Sequence, residues 1–161
     1  MKRPFGLSVS LFFLFFSTIV LQCQQLTVQT DAGKQVLSRA DLEALPHVKV
    51  TASEHGSAPI SFEGVTLKSV LEKGGVTFGE SMRGKRLTNC LLIEAADGYR
   101  AVIALPELDP AFTDKQAILA LLRDGKPLGE KEGPYRIVIP DEKRMARWVR
   151  QVTVLKIVDV Q

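Results

Sequence analysis

Apolar and polar residues alternate over short stretches along most of the chain, and glycine, proline and aspartate break the alternation at short intervals. Leu26-Thr-Val-Gln-Thr30 alternates, and Asp31-Ala-Gly33 turns the chain into Gln35-Val-Leu37, which predicts a hairpin-like start. Ser38 and Asp41 ahead of Leu42 and Leu45 predict a short capped helix that Pro46 ends. Val48-Lys-Val-Thr51 and residues 60–63 read as strands. From Thr66 onward, Leu67, Val70 and Leu71 fall at helical spacing, and Gly74-Gly75 offers the left-handed stop that glycine tolerates.

The clearest local feature follows. Cys-Leu-Leu-Ile-Glu-Ala (90–95) and Tyr-Arg-Ala-Val-Ile-Ala-Leu (99–105) flank Asp97-Gly98, a hairpin signal because both residues accept positive φ. Residues 117–122 and 135–139 are apolar enough to be buried strands, separated by the Asp124-Gly-Lys126 turn, and residues 152–160 form the last strand. Short strands outnumber helices, and the helices are scattered between them. The expected fold is therefore α+β: a mainly mixed β-sheet domain with a few short covering helices. An all-parallel doubly wound sheet would need regular crossover helices, and these are not expected here.

The N-terminal end breaks the pattern. Lys2-Arg3 precedes an apolar run from Phe5 to Leu21 that holds five of the chain's eight phenylalanines, and the polar residues 22–25 follow it. A positive start and a short apolar stretch predict an export signal over residues 1–22, with an uncleaved anchor as the alternative. Val20-Leu21-Gln22-Cys23 resembles a bacterial lipobox in which Gln22 replaces the small residue before the acylated cysteine. Residues 23–161 then form a single domain, exported to the periplasm or the cell surface.

Composition narrows the function classes. The 161 residues are 45% apolar and 24% charged, with 12 Gly and 8 Pro, which excludes a collagen, a coiled coil and a disordered tail. Removing residues 1–22 takes away Lys2 and Arg3 and no acid, so 21 basic residues become 19 against 18 acidic ones. A net charge of +1 does not point to a nucleic-acid partner. Cys90 is the one cysteine inside the domain, so no disulfide framework is expected unless Cys23 is retained.

Familiar catalytic patterns are missing: G-x-S-x-G, a Walker loop, G-x-G-x-x-G, C-x-x-C and H-E-x-x-H do not occur. His47 and His55, with one internal cysteine, make a poor metal cluster. Glu94, Asp97, Glu107 and Asp109 are carboxylates near turns, and Cys90 sits in an apolar strand where a thiol behaves as a small hydrophobe. What remains is basic. Lys143, Arg144, Arg147 and Arg150 crowd around Trp148, just after Gly133-Pro134-Tyr-Arg136. Arginine's planar fork suits phosphate, but a solvated charged face accounts for the same residues.

The order of segments adds a resemblance. Leu42-Glu-Ala-Leu-Pro46, Phe62-Glu-Gly-Val-Thr-Leu67, Ala96-Asp-Gly-Tyr-Arg-Ala101, Leu105-Pro-Glu-Leu108, Glu132-Gly-Pro-Tyr-Arg-Ile-Val-Ile-Pro140 and Ala146-Arg-Trp-Val-Arg150 occur in one sequence. In that order the chain resembles the oxidoreductase molybdopterin-binding domain of the sulfite oxidase type, in a short stand-alone form. The resemblance implies a pterin-phosphate pocket between loops, with Arg136, Arg147 and Arg150 on the family's basic tail as the cofactor-binding residues. In catalytic members a molybdenum-pterin cofactor transfers an oxygen atom to or from a small substrate, and one protein thiolate ligates the metal. The implied partners are a small anion or the pterin cofactor, together with a protein redox partner. Contact with a membrane is expected only through the N-terminal segment.

Two departures shape the functional expectation. The ligand cysteine of the enzymes follows the strand after the first helix, where this chain has Thr51-Ala-Ser-Glu-His-Gly56. Related tails commonly place glycines after the strand-ending proline and before Ala-Arg, where this chain has Asp141 and Met145. Glycine lets backbone amides approach an anion, whereas Asp141 adds a negative charge. Lys2-Arg3 also falls short of the twin-Arg signal that export of a cofactor-loaded protein normally uses. The expectation is an exported molybdopterin-binding oxidoreductase-like domain with a reduced or altered site. If it is active, its reaction is oxygen-atom transfer, with no residue assignable as acid, base or nucleophile and no protein metal ligand. The alternative is a non-catalytic module that binds a small anion or a protein partner.

Overall fold

The computed structural model describes residues 24–160. The export signal or anchor over residues 1–22, the Lys2-Arg3 pair and the acylation of Cys23 lie outside the described residues. Among the described residues, no helix is long and apolar enough to cross a membrane.

Ten strands form two sheets. In the first, β1 (Gln25–Thr30) and β2 (Gly33–Ser38) make the expected antiparallel hairpin, and β5 (Asn89–Ala95) and β6 (Arg100–Ala104) make another. β10 (Val152–Asp159) lies between the hairpins, parallel to β1 and antiparallel to β5, which gives the order β2-β1-β10-β5-β6. The second sheet runs β3 (His47–Ala52), β4 (Ile60–Thr66) and β7 (Ile118–Arg123), all antiparallel. The short strands β8 (Lys126–Pro127) and β9 (Arg136–Val138) both pair with β7.

Alternation sets the core. Leu26 and Val28 of β1, and Leu91, Ile93 and Ala95 of β5, are buried, while the residues between them, Thr27, Leu92 and Glu94, are only half-buried on the other face. In β7, by contrast, Ile118, Leu119, Ala120 and Leu121 are all buried, as expected of a strand covered on both sides. Among the described residues, two α-helices pack against the sheets, the first bridging β2 and β4 and the second lying on β4 and β7. α1 (Arg39–Glu43) starts at Ser38, whose hydroxyl accepts from the Asp41 amide while the Asp41 carboxylate accepts from the Ser38 amide. α2 (Leu67–Lys73) starts at Thr66 and buries Leu67, Val70 and Leu71. Of the two glycines after α2, only Gly75 takes positive φ (89°). Gly74 is needed for space instead, since a Cβ there would lie 2.4 Å from a Val28 methyl.

Gly98 alone takes positive φ in the β5–β6 turn (85°), while Asp97 accepts the Tyr99 amide through its side chain. That is a three-residue hairpin loop closed by a left-handed glycine, at the place expected, with one rather than both of Asp97 and Gly98 at positive φ. The Asp124-Gly125 turn has positive φ at both residues, and Asp124 is tied to Ser61 of β4 by hydrogen bonds in each direction. The chain between α2 and β5 carries two short 3-10 helices, Gly79–Ser81 and Gly84–Thr88, which the hydrophobic pattern does not signal.

The tail after β9 joins the sheets. The Ile137 amide donates to the Val149 carbonyl, and the Val152 amide to the Tyr135 carbonyl. Trp148 is buried, donates through Nε1 to the Ile139 carbonyl, and packs edge-on against Phe62 at 6.1 Å between ring centres.

Candidate functional site

Three loops meet at a cleft of about 820 Å³. The turn after β3 contributes Ser53, His55 and Gly56, the tip of the β5–β6 hairpin contributes Asp97 and Tyr99, and the tail contributes residues 142–146 and 148–150. Local sequence explains each wall. His55 and Gly56 reverse the chain with positive φ (47° and 77°), and the Ser57 amide closes the turn on the Glu54 carbonyl. Tyr99 reaches from the hairpin tip to the tail, donating its hydroxyl to the Ala146 carbonyl at 2.7 Å. In the tail, a 3-10 helix at Met145–Arg147 turns Trp148 inward and leaves Lys143, Arg144 and Arg150 exposed.

The three arginines that the resemblance singled out are placed differently. Arg150 lies on the cleft wall, exposed. Arg136 also borders the cleft but is only 1% exposed, held between the rings of Phe62 (5.4 Å) and Trp148 (5.6 Å). Arg147 is not part of the wall; it donates through Nε to Glu142 at 2.6 Å and through both terminal nitrogens to Glu107. Burial works against the charge on Arg147, but the two carboxylates outweigh it and raise the guanidinium pKa above its ordinary value.

Beneath the cleft, Arg136 pairs with Glu54 through Nη2 and with Glu132 through Nη1 at 3.3 Å. Arg123 pairs with the same two carboxylates, at 3.3 Å and 2.6 Å, and lies over the Phe62 ring. Two arginines and two glutamates thus balance. Glu142, on the wall, shares Arg147 with Glu107. Lys143, Arg144 and Arg150 make no ion pair among the described residues, and Asp97 is the other acid on the wall with them. The exposed part of the wall therefore carries more positive than negative charge. Three buried side-chain atoms of wall residues have no hydrogen-bond partner: the donors Arg136 Nε and Nη1, the latter in ion-pair range of Glu132, and the acceptor Glu142 Oε2.

The remaining sequence candidates stand elsewhere. His47 faces Glu63 on the second sheet at 3.5 Å, and half-buried Cys90 lies on β5 outside the cleft wall. Asp109 is buried and accepts the Gly79 and Ala111 amides at 2.6 and 3.1 Å. Burial is the largest single influence on its carboxyl and pushes its pKa up, but the two amides and Lys68 together hold it below the ordinary value. Of the two tail departures, Asp141 is exposed and off the wall, whereas Met145 lines it.

Sequence reasoning missed Glu54, Arg123, Glu132 and Glu142. One signal for them was present: Arg136 stands between Tyr135 and Ile137 in an apolar strand, and an arginine buried there requires carboxylate partners.

The model of the family "Oxidoreductase molybdopterin binding domain" matches residues 18–160. The crystal structure of the sulfane dehydrogenase SoxCD from Paracoccus pantotrophus is similar in fold, with a TM-score of 0.66 and 21% sequence identity over 85% of this chain. The match spans 38% of the length of that SoxCD chain. No curated protein sequence matches this chain.

Proposed function

The chain belongs to the oxidoreductase molybdopterin-binding domain family, and from that premise we propose that it is an exported domain whose cleft holds an anionic pterin-type group without giving a thiolate to its metal. The observation that carries this reading is the cleft wall itself: three unpaired cations and no thiol.

The pterin and its phosphate fit these residues. Lys143, Arg144 and Arg150 supply charge for a phosphate, while Arg136 Nε and Glu142 Oε2 offer a buried donor and acceptor to a ring edge carrying both kinds of group. Arg147 acts through Glu142, whose carboxylate it fixes. The metal's protein ligand does not fit, because the loop where the family cysteine belongs presents Ser53, His55 and Gly56 to the cleft. In catalytic members of the family the bound group supplies oxygen-atom transfer. In this chain the residues bind and orient, and none is placed as acid, base or nucleophile. Residues 1–22 carry the domain to the periplasm or the cell surface.

The test is metal analysis with pterin fluorescence on protein from its native exported fraction, alongside pyrophosphate titrations of the wild type and Arg150→Ala. The reading expects bound pterin, and pyrophosphate affinity that Arg150→Ala lowers about tenfold or more, with no substrate turnover. One molybdenum per chain with substrate-dependent turnover would overturn the non-catalytic part. Absence of pterin together with pyrophosphate binding in the micromolar range would favour a small-anion module. No anion binding at all would sink both readings and turn attention to protein partners.

A further inference from the structure

We infer that Glu54 is an internal counter-anion that regulates the cleft: it neutralises Arg136 when the cleft is empty of anion and transfers to Arg123 when an anion arrives. The inference rests on the reading of the cleft as an anion site and adds a moving part to it.

Glu54 sits between two arginines and gives each a different oxygen, Oε1 to Arg136 and Oε2 to Arg123. Ser53, His55 and Gly56 face the cleft, but Glu54 between them is directed beneath it, with its side chain 14% exposed. Arg136, at the cleft's floor, already has two carboxylates beside it. An anion approaching Arg136 brings a further negative charge into a region of low dielectric, and repulsion at that range is strong. Apart from its unpartnered Nε, Arg136 can turn a terminal nitrogen to the anion only if one carboxylate withdraws.

Glu132 is the wrong candidate to withdraw. Its carbonyl accepts the Gln151 amide, its amide donates to the Gly129 carbonyl, and its carboxylate accepts from Arg123 at 2.6 Å. Glu54 stands in a single tight turn, closed by the Ser57 contacts to its carbonyl and amide and containing a non-glycine residue of positive φ, His55. By turning toward Arg123, whose side chain is 32% exposed, its carboxylate keeps one ion pair and never stands alone. The exchange releases Arg136 Nη2 for the ligand and moves the backbone that forms one wall of the cleft.

The experiment is pyrophosphate binding by the full domain in three forms: wild type, Glu54→Gln and Arg150→Ala. Each is first checked for folding by its thermal transition. Hydrogen exchange of residues 53–57 is then followed with and without pyrophosphate. Glu54→Gln is expected to bind about tenfold more tightly, since one negative charge is gone from Arg136's side. In the wild type, pyrophosphate is expected to speed exchange at the Ser57 amide, which the closed turn protects. Unchanged or weaker binding by folded Glu54→Gln, or an exchange rate indifferent to pyrophosphate, would overturn the inference. If at the same time Arg150→Ala still loses affinity, the anion site stands without the switch. If no form binds pyrophosphate, both fail.

Discussion

Arg136 is 1% exposed and shares its charge with Glu54 and Glu132, whose side chains are 14% and 16% exposed. Arg136→Ala therefore strands two carboxylates with Arg123 as their only remaining cation, and urea denaturation should show a loss of about 3–5 kcal/mol. Arg150→Ala, on the exposed rim, should stay within about 0.5 kcal/mol of wild type in the same assay while losing anion affinity. The contrast separates an arginine that holds the floor together from one that faces the ligand. Asp109 gives a prediction in pH. Its folded pKa is depressed, so between that value and the ordinary one the unfolded chain binds more protons and stability rises with pH. Its contribution is complete above about pH 4 and is lost as pH falls through the depressed value. Asp109→Asn should cost about 1–3 kcal/mol at pH 7 and flatten the acid limb of a stability-versus-pH curve.

Among the elements, β4 and β7 approach most closely at Gly64, where a Cβ would lie 2.1 Å from the Leu119 carbonyl oxygen. That neighbour is backbone in a strand buried on both faces, so it cannot swing aside. Gly64→Ala should cost about 3 kcal/mol, measured by thermal unfolding, and should disturb the bulge recorded between Glu63 and Gly64. Gly75→Ala meets no atom within 4 Å and should lose only the roughly 1 kcal/mol of its left-handed backbone. Such close approaches are invisible in sequence, where Gly64 reads as an interruption of a strand. The strands with clean alternation and the helices with a side-chain cap were legible because their signals are local. The two 3-10 helices between α2 and β5 were not, because that stretch is held by long-range bonds such as Gly79 to Asp109. Likewise the basic tail was legible as a cluster, but its division was not: Arg147 turns to Glu107 and Arg136 to Glu54, partners that lie far off along the chain.

For the whole molecule, the tail that lines the cleft also carries Trp148, the chain's only tryptophan, which packs on Phe62 of the second sheet and leads directly into β10 of the first. The two sheets share one continuous core. Tryptophan fluorescence and far-ultraviolet circular dichroism should therefore report one coincident unfolding transition, and pyrophosphate should raise its midpoint, less so at high salt. Two separated transitions would mean that the sheets unfold independently and that the cleft is not built on a single unit. The parallel pairing of β1 with β10 also decides how the domain presents itself when it is held. In that register Gln25 falls level with Val152, and both line a second pocket apart from the cleft, whereas Asp159 leaves from the opposite end of the ladder, roughly 20 Å away. A tether joined upstream of Gln24 therefore emerges at that second pocket and crowds it. One joined downstream of Asp159 leaves it open, and that is the end by which to immobilise the domain on a sensor surface.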